Sequence, residues 1–343
     1  FIKMVLRPGI EDLKVIGYYL GKILIGLGLT MLLPIATAVL FKEINPFYDF
    51  LISFFICVIF GQALTLLCKT NKDIDWLKSM VIVAVAWLAA TVFGAVPFYL
   101  SGHWFSFLDC TFDSMSGFAT TGLTLVQDLD HISRSVNLWR HLIMFIGGQG
   151  VVVVALAFLV KGSAGAFRMY VGEARDERVL PNVVESARFI WMVSIVFLVL
   201  GTLALAFIGR YEGMSWANSF FHGVCVFMAA FDTGGFAPQS QNILYYHSLP
   251  YEIATIVIMI LGAINFKLHY TLWRQRRKEI AKNIETRTFF MTIALTFFLV
   301  AIGLNKLGVY PDALGMFRKG FYHLISGHTG TGYQTVYARQ FIL

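Results

Sequence analysis

The sequence predicts an all-α integral membrane protein built from repeated units, each with a membrane span, a short re-entrant segment and a second span. An extra pair of transmembrane helices precedes the first unit. Three observations support this fold class: an apolar composition, several apolar stretches long enough to cross a bilayer, and a small-residue motif that recurs between those stretches.

The composition is that of a membrane protein. Hydrophobic residues make up 57% of the 343 residues and charged residues 14%, whereas charged residues make up about a quarter of an average soluble domain. The formal net charge of +7 does not indicate nucleic acid, because the basic residues fall between apolar stretches and form no surface stripe. We therefore expect the lipid bilayer as a partner, and no nucleic acid.

Seven stretches are long enough for a hydrocarbon core of about 30 Å. They are residues 15–41, 50–68, 79–100, 139–160, 189–209, 251–270 and 288–304. Pro34 interrupts the first stretch without excluding it, because neighbouring helices can satisfy the backbone around a proline. Lys and Arg are roughly twice as numerous on one side of these spans as on the other, which predicts a cytoplasmic N-terminus.

A motif of small residues recurs three times between the spans. Without gaps, residues 108–122 (LDCTFDSMSGFATTG) align with residues 221–235 (FHGVCVFMAAFDTGG) and residues 318–332 (RKGFYHLISGHTGTG). Each copy ends in a Thr/Gly triplet, and the copies lie 113 and 97 residues apart. That spacing fits one span, one re-entrant segment and one further span, so the unit is a span, a pore loop and a span.

Such a segment at membrane depth implies an enclosed aqueous path. Non-helical backbone is tolerated there only where it is buried in protein or lines water. Gly allows backbone angles that turn successive carbonyls toward one axis, and rings of carbonyls can replace the hydration shell of a cation. We therefore predict a filter for a dehydrated monovalent cation, formed by Thr120, Thr121, Gly122, Leu123, Thr233, Gly234, Gly235, Phe236, Gly330, Thr331, Gly332 and Tyr333.

Other polar residues are open to two interpretations. Acidic side chains near the predicted outer mouth either concentrate cations or are solvated and hydrogen-bonded within loops. They are Asp109, Asp113, Asp128, Asp130, Glu212, Asp232 and Asp312. His323 and His328 belong to no HExxH or other ligand cluster, so we expect packing or backbone hydrogen bonding, no transition-metal site and no organic cofactor. The cysteines lack Cys-X-X-Cys spacing, and we expect them to pack.

The motifs resemble those of the Trk/Ktr/HKT superfamily of potassium and sodium transporters. The resemblance rests on DSMSGFATTGLT, FMAAFDTGGFAP and LISGHTGTGYQT, and on FIGGQGVVVV after the first motif. It covers nearly the whole chain. The extra pair of spans before the first repeat resembles the Trk branch, with its TrkH-type membrane subunits.

The resemblance implies channel-like potassium uptake, with potassium as the transported ion and four potassium-channel-like repeats arranged around one pore. It also implies a homodimer, a cytosolic nucleotide-binding regulatory subunit and a place in the inner membrane of the cell. Gly122 occupies the position at which Gly or Ser distinguishes potassium-type from sodium-type members. Potassium is therefore favoured, with sodium permeation still open.

We assign residues 1–78 to the extra helix pair, 79–160 to pore repeat 1, 187–270 to pore repeat 2 and 288–343 to an incomplete pore repeat 3. In the family, the third repeat has a second span and a fourth repeat follows. Neither is visible in this sequence. We therefore expect a fragment that does not conduct selectively by itself.

Two other functions compete with cation transport. A membrane-embedded enzyme would need an apposed nucleophile, base or metal at membrane depth, and no such set is visible. A secondary transporter of an organic solute usually has two inverted halves, whereas these units keep one orientation. The basic run WRQRRKEIAKNIETR at residues 273–287 is a topology signal, a lipid-headgroup contact or, by the resemblance, a docking surface for the regulatory subunit.

Overall fold

The computed structural model describes residues 9–70, 75–150, 183–273, 283–306 and 313–336, and all regular secondary structure in these ranges is helical. The helices are α1 (Ile10–Thr30), α2 (Leu32–Phe41), α3 (Ile44–Leu67), α4 (Trp76–Ser101), α5 (Phe107–Phe118), α6 (Arg134–Gln149), α7 (Val183–Tyr211), α8 (Trp216–Phe231), α9 (Leu249–Ala263), α10 (Phe266–Trp273), α11 (Ile284–Lys306) and α12 (Ala313–Thr329). Two short 3-10 helices lie at Leu129–His131 and Asn242–Tyr246. The all-α membrane fold class is confirmed.

Five spans in the described part of the chain agree with the sequence prediction. They are Ile10–Phe41, Ile44–Leu67, Leu77–Ser101, Val184–Tyr211 and Ile284–Gly303. The first combines α1 and α2, which meet at Met31, so Pro34 is accommodated within one span. Of the predicted span at residues 139–160, the structure describes α6 as far as Gln149 and then Gly150, and residues 151–160 lie outside the described residues.

The predicted span at residues 251–270 is bent and consists of two helices. Helices α9 and α10 meet there at an angle of 103°. Ile264, the residue that follows α9, has extended backbone angles (φ −79°, ψ 135°), and the Asn265 side chain accepts a hydrogen bond from the Lys267 backbone N–H at 3.0 Å. Asn265 thus satisfies a free donor at the start of a new helix. Hydropathy does not detect this cap, because the residues on both sides of the bend are apolar.

The chain forms two compact units. The first unit contains Phe1–Phe118 and Thr124–Met192, and the second contains Ala119–Leu123 and Val193–Leu343. The short segment Ala119–Leu123 therefore belongs with the second and third copies of the motif and not with the helix that precedes it.

In the first unit, α1 and α3 pack closely through small residues. A Cβ on Gly21 would lie 2.6 Å from the Gly61 carbonyl oxygen, and a Cβ on Gly61 would lie 2.7 Å from that of Gly21, closer than real Cβ contacts. Cys57 donates from Sγ to the Leu24 carbonyl at 3.1 Å. Such close backbone contact is typical of paired helices in a bilayer. Cys57, Cys110 and Cys225 are buried free thiols, as the packing interpretation predicts.

One contact recurs in both units and joins a motif helix to the helix after it. In the first unit, Gly147 of α6 lies against the Phe118 carbonyl at the end of α5. In the second unit, Gly262 of α9 lies against the Phe231 carbonyl at the end of α8. In both places an added Cβ would overlap the carbonyl oxygen. Phe118 and Phe231 occupy the same column of the repeat, so these contacts are equivalent.

A bidentate ion pair joins α9 to α12 in the second unit. Arg318 Nε lies 2.7 Å from Glu252 Oε2, and Arg318 Nη2 lies 2.7 Å from Glu252 Oε1. The Glu252 side chain is 10% exposed and that of Arg318 is 37% exposed. Paired donors that match both carboxylate oxygens make this kind of bond stronger than a neutral hydrogen bond.

We expect Glu252→Gln to lower the free energy of unfolding by about 1–3 kcal/mol, because Arg318 would lose its charged partner. The exchanged pair Glu252→Arg with Arg318→Glu should recover part of the loss. Thermal unfolding of the full-length protein in detergent measures both effects. Lys14→Met is the control, since it breaks the exposed Lys14–Glu11 pair (3.0 Å), which is expected to contribute less than about 1 kcal/mol. Equal losses in both variants would contradict a structural role for the Glu252–Arg318 pair.

Candidate functional site

Each copy of the motif begins on a short helix and continues as irregular backbone. The three helices, α5, α8 and α12, have 12, 16 and 17 residues. At a rise of about 1.5 Å per residue, each is shorter than a hydrocarbon core of about 30 Å. The predicted filter residues begin one or two positions after the C-terminal end of each helix.

The backbone of the three segments follows one pattern. In each segment, two residues separated by one other have positive φ angles, in the left-handed region. They are Thr120 (50°) and Gly122 (78°), Thr233 (51°) and Gly235 (76°), and Gly330 (78°) and Gly332 (80°). The spacings between equivalent residues are the 113 and 97 residues of the sequence alignment.

Positive φ is uncommon for any residue other than Gly, and a β-branched residue there is an outlier. Thr120 and Thr233 nevertheless adopt it at equivalent positions. The surrounding structure must therefore impose this conformation. Residues of alternating handedness turn successive carbonyls toward the same side of the chain, which is the geometry that a row of cation ligands requires.

Neighbouring segments within the second unit contact one another in a repeating way. A Cβ added to Gly122 would overlap the Gly234 carbonyl, and a Cβ added to Gly235 would overlap the Thr331 carbonyl. Gly234 and Thr331 occupy the same column of the alignment. A Cβ added to Gly332 would have no atom of the described residues within 4 Å. The first segment therefore packs on the second as the second packs on the third.

The residue that follows each triplet has a different environment in each segment. Tyr333 is buried, and its hydroxyl lies 3.1 Å from the carbonyl oxygens of both Val226 and Phe236, to which it donates. Phe236 is also buried, whereas Leu123 is 58% exposed. Tyr333 thus connects the third segment to the helix and the backbone of the second. This role was not predicted, and a tyrosine in a column of apolar residues was the only signal for it.

Asp113 is not a surface charge. It is fully buried and accepts hydrogen bonds from Trp104 Nε1 (2.9 Å), Thr124 Oγ1 (2.6 Å) and the Leu125 backbone N–H (2.6 Å). Of the two interpretations of the acidic residues, hydrogen bonding within the fold applies here. Asp113 fixes the chain that follows the first segment.

The remaining acidic residues lie in different settings. Asp109 accepts a hydrogen bond from the Ser106 backbone N–H at 3.0 Å, at the start of α5. The exposed side chains of Asp128 and His131 lie 2.8 Å apart, and the hydrogen bond between them lowers the pKa of Asp128 and raises that of His131. Asp130 and Glu212 are exposed and Asp232 is buried, whereas Asp312 lies outside the described residues.

The two histidines of α12 bond to backbone. His323 Nδ1 lies 2.7 Å from the Lys319 carbonyl oxygen, and His328 Nδ1 lies 3.0 Å from that of Leu324. These contacts agree with the backbone hydrogen bonding that the sequence predicts. Within the part of the chain that the structure describes, no group of three His, Cys, Asp or Glu side chains is placed to hold a metal ion.

Comparisons with known proteins agree with this architecture. Residues 48–328 match the sequence profile of the family described as TrkH, cation transport protein. An uncharacterized cation transporter of Methanocaldococcus jannaschii is 30% identical over 327 residues, which cover 95% of this chain and 64% of that protein. The Trk system potassium uptake protein TrkG of Escherichia coli K12 is 28% identical over 332 residues, which cover 95% of this chain and 66% of that protein.

A solved structure shares the fold. The potassium transporter TrkH from Vibrio parahaemolyticus superposes with a TM-score of 0.79 at 24% identity, covering 94% of this chain and 66% of that one. The chain therefore spans just under two thirds of the length of these relatives. The family profile extends over most of the chain and includes α5 and α8 with the segments that follow them. On this evidence the chain belongs to the TrkH family of cation transport proteins, whose members are multi-pass membrane proteins.

Proposed function

We propose that the full-length protein takes up potassium by channel-like translocation through a filter of backbone carbonyls. The filter consists of Thr120–Leu123 and its equivalents in the second and third repeats, which are residues 233–236 and 330–333. The repeated contact of a motif glycine with the carbonyl of the next segment carries this proposal. Two successive contacts of the same kind support one rotational order of the three segments, as a ring of carbonyl ligands requires.

The chemistry of the segments suits a monovalent cation. Carbonyl oxygens replace water around the ion without adding a full negative charge, so an ion of single charge can enter and leave. Each segment also follows the C-terminal end of a helix, where unpaired carbonyls give a partial negative charge. Gly122 in the first segment and the potassium uptake function named for relatives both favour potassium over sodium.

The proposed domain organisation keeps the sequence boundaries. Residues 1–78 form the extra helix pair, residues 79–160 and 187–270 form two repeats, and residues 288–343 belong to a third. In the full-length protein, a fourth repeat would place its segment beside Gly332, where an added Cβ would meet no atom of the described residues within 4 Å. That arrangement would close the ring.

We also propose a homodimer in the inner membrane, with the N-terminus in the cytoplasm and a cytosolic nucleotide-binding regulatory subunit as partner. The distribution of Lys and Arg supports the orientation. The family resemblance supports the dimer and the regulatory subunit. Most of the basic run at residues 273–287 lies outside the described residues, so the proposal for this run rests on its charge.

Neutralising Arg274, Arg276, Arg277 and Lys278 in the full-length protein is expected to weaken binding of the regulatory subunit by about tenfold while the potassium-to-sodium uptake ratio stays unchanged. Pull-down titration measures the binding, and a topology assay must accompany it because these charges also direct insertion. Unchanged affinity would leave the run only its topological role. Lys267→Gln on α10, outside the run, serves as the control.

The test of the proposed function is tracer uptake into proteoliposomes that contain the full-length protein. Rubidium uptake that potassium suppresses more strongly than sodium would support the proposal. Liposomes that stay impermeable to rubidium while added lipid substrates are turned over would favour a membrane-embedded enzyme. Uptake of an organic solute without rubidium flux would favour a secondary transporter.

A further inference from the structure

Two side chains at equivalent positions of different motif helices bind the backbone in the same way. Asp113 of α5 accepts a hydrogen bond through Oδ1 from the Leu125 N–H at 2.6 Å. His323 of α12 accepts one through Nε2 from the Thr335 N–H at 3.3 Å. In each case the acceptor precedes the donor by 12 residues. Both pairs also keep the register that relates Gly122 to Gly332, so they are equivalent pairs on two repeats.

The geometry at His323 requires one tautomer. Its Nδ1 lies 2.7 Å from the Lys319 carbonyl oxygen, which can only accept a hydrogen bond, so Nδ1 carries the proton. In the neutral ring, Nε2 then has a lone pair available for the Thr335 N–H. The two hydrogen bonds of His323 are thus consistent with each other. The imidazole accepts a hydrogen bond from the backbone in the third repeat, as the Asp113 carboxylate does in the first.

The second repeat lacks both halves of this pair. The same register puts Val226 at the acceptor position and Pro238 at the donor position. Valine has no acceptor, and proline has no backbone N–H to satisfy. Where the acceptor is absent, the need for it is absent too. All three repeats therefore obey one rule: the N–H that lies two residues past the candidate filter either has a side-chain acceptor on the motif helix or does not exist.

We infer that Asp113–Leu125 and His323–Thr335, hereafter the anchor pairs, are positioning devices for the candidate filter. Each pair holds the backbone just past a filter segment against its own motif helix. A backbone N–H that loses its acceptor must find water or shift the chain. The carbonyls of the segment would shift with it. This inference rests on the proposed function, and Asp113 and His323 act through the backbone without contacting the ion.

The third repeat offers the sharper test. Asp113 accepts hydrogen bonds from three donors, whereas His323 Nε2 accepts one, from Thr335. His323→Leu removes the acceptor and should lower the potassium-to-sodium uptake ratio of the full-length protein by about tenfold. His323→Gln keeps an oxygen acceptor at similar reach and should stay within about twofold of the unchanged protein. Equal ratios in the Leu and Gln variants would overturn the inference.

A double substitution at positions 323 and 335 gives the third repeat the two residues that the second repeat has there. His323→Val and Thr335→Pro should each lower the uptake ratio alone, whereas the double variant reproduces the Val226 and Pro238 combination. We expect the double variant to recover to within about threefold of the unchanged protein, so that the two effects are coupled and not additive. Losses that simply multiply would mean that His323 only fills space.

Hydrogen exchange of the Thr335 amide measures its hydrogen bond to His323 directly, and this measurement does not require ion conduction. The Thr335 amide should be protected in the unchanged protein and in His323→Gln, and should exchange at least about tenfold faster in His323→Leu. Equal exchange in all three would overturn the inference. Failure of the proposed function gives a different result, because the unchanged protein would then show no rubidium uptake while the exchange difference remained.

Discussion

Replacing Gly122 with serine is expected to lower the preference of the full-length protein for potassium over sodium by at least about tenfold, which corresponds to about 1.4 kcal/mol. Gly122 has φ +78°, a conformation that a serine adopts only with strain. The serine Cβ would also overlap the Gly234 carbonyl, one of the proposed ligands. One carbonyl of the ring would move and a hydroxyl would be added beside it. The measurement is the potassium-to-sodium uptake ratio at matched surface expression.

Gly102→Ser is a matched control for the backbone strain. Gly102 follows α4 with φ +72°, and no atom of the described residues lies within 4 Å of the position of an added Cβ. This variant carries similar strain outside the candidate filter, so it should be somewhat less stable and keep its uptake ratio. If Gly122→Ser also keeps the ratio, the first segment does not line the selective part of the pore.

Replacing Gly262 with alanine is expected to prevent stable folding or to lower the free energy of unfolding by at least about 3 kcal/mol. The added methyl group would overlap the Phe231 carbonyl, so α9 must move away from the end of α8. A backbone oxygen cannot turn aside as a flexible side chain can. Thermal unfolding and the yield of monodisperse protein in detergent measure the loss.

Gly147→Ala should behave similarly, because Gly147 meets the Phe118 carbonyl in the equivalent contact of the first unit. Gly303→Ala is the control, since in the part of the chain that the structure describes no atom of a neighbouring element lies within 4 Å of its added Cβ. Alanine has the higher helix propensity, so Gly303→Ala should leave α11 unchanged or slightly more stable. If Gly262→Ala unfolds at the temperature of the unchanged protein, the close packing of α9 on α8 is wrong.

Hydropathy and the repeat register predicted the features that depend on composition and spacing. Long apolar stretches identified the spans of α3, α4, α7 and α11, because burial in lipid acts on the whole stretch. The Thr/Gly triplets identified three segments whose backbones share one pattern. The alignment of small residues predicts where these segments lie in the chain, but it does not predict their backbone conformation.

Features that depend on single hydrogen bonds were not predictable in the same way. At the bend after α9, the Asn265 side chain caps the next helix, and hydropathy averaged over many residues does not detect a single capping side chain. The left-handed conformation of Thr120 opposes the intrinsic preference of threonine, so it follows from the surrounding structure. The anchor pairs could not be predicted by aligning the repeats, because the acceptor is an aspartate in one and a histidine in the other. Only the hydrogen bonds showed that they act alike.

Anomalous scattering from thallium tests the central claim most directly. Thallium is a monovalent cation that substitutes for potassium, and crystals of the full-length protein grown with it report where the ion binds. We expect peaks on the axis bounded by the carbonyls of Thr121, Gly234 and Thr331 and of the glycine that follows each, at carbonyl-ligand distances. Thallium bound elsewhere, with no peak between the three segments in a protein that takes up rubidium, would contradict the account.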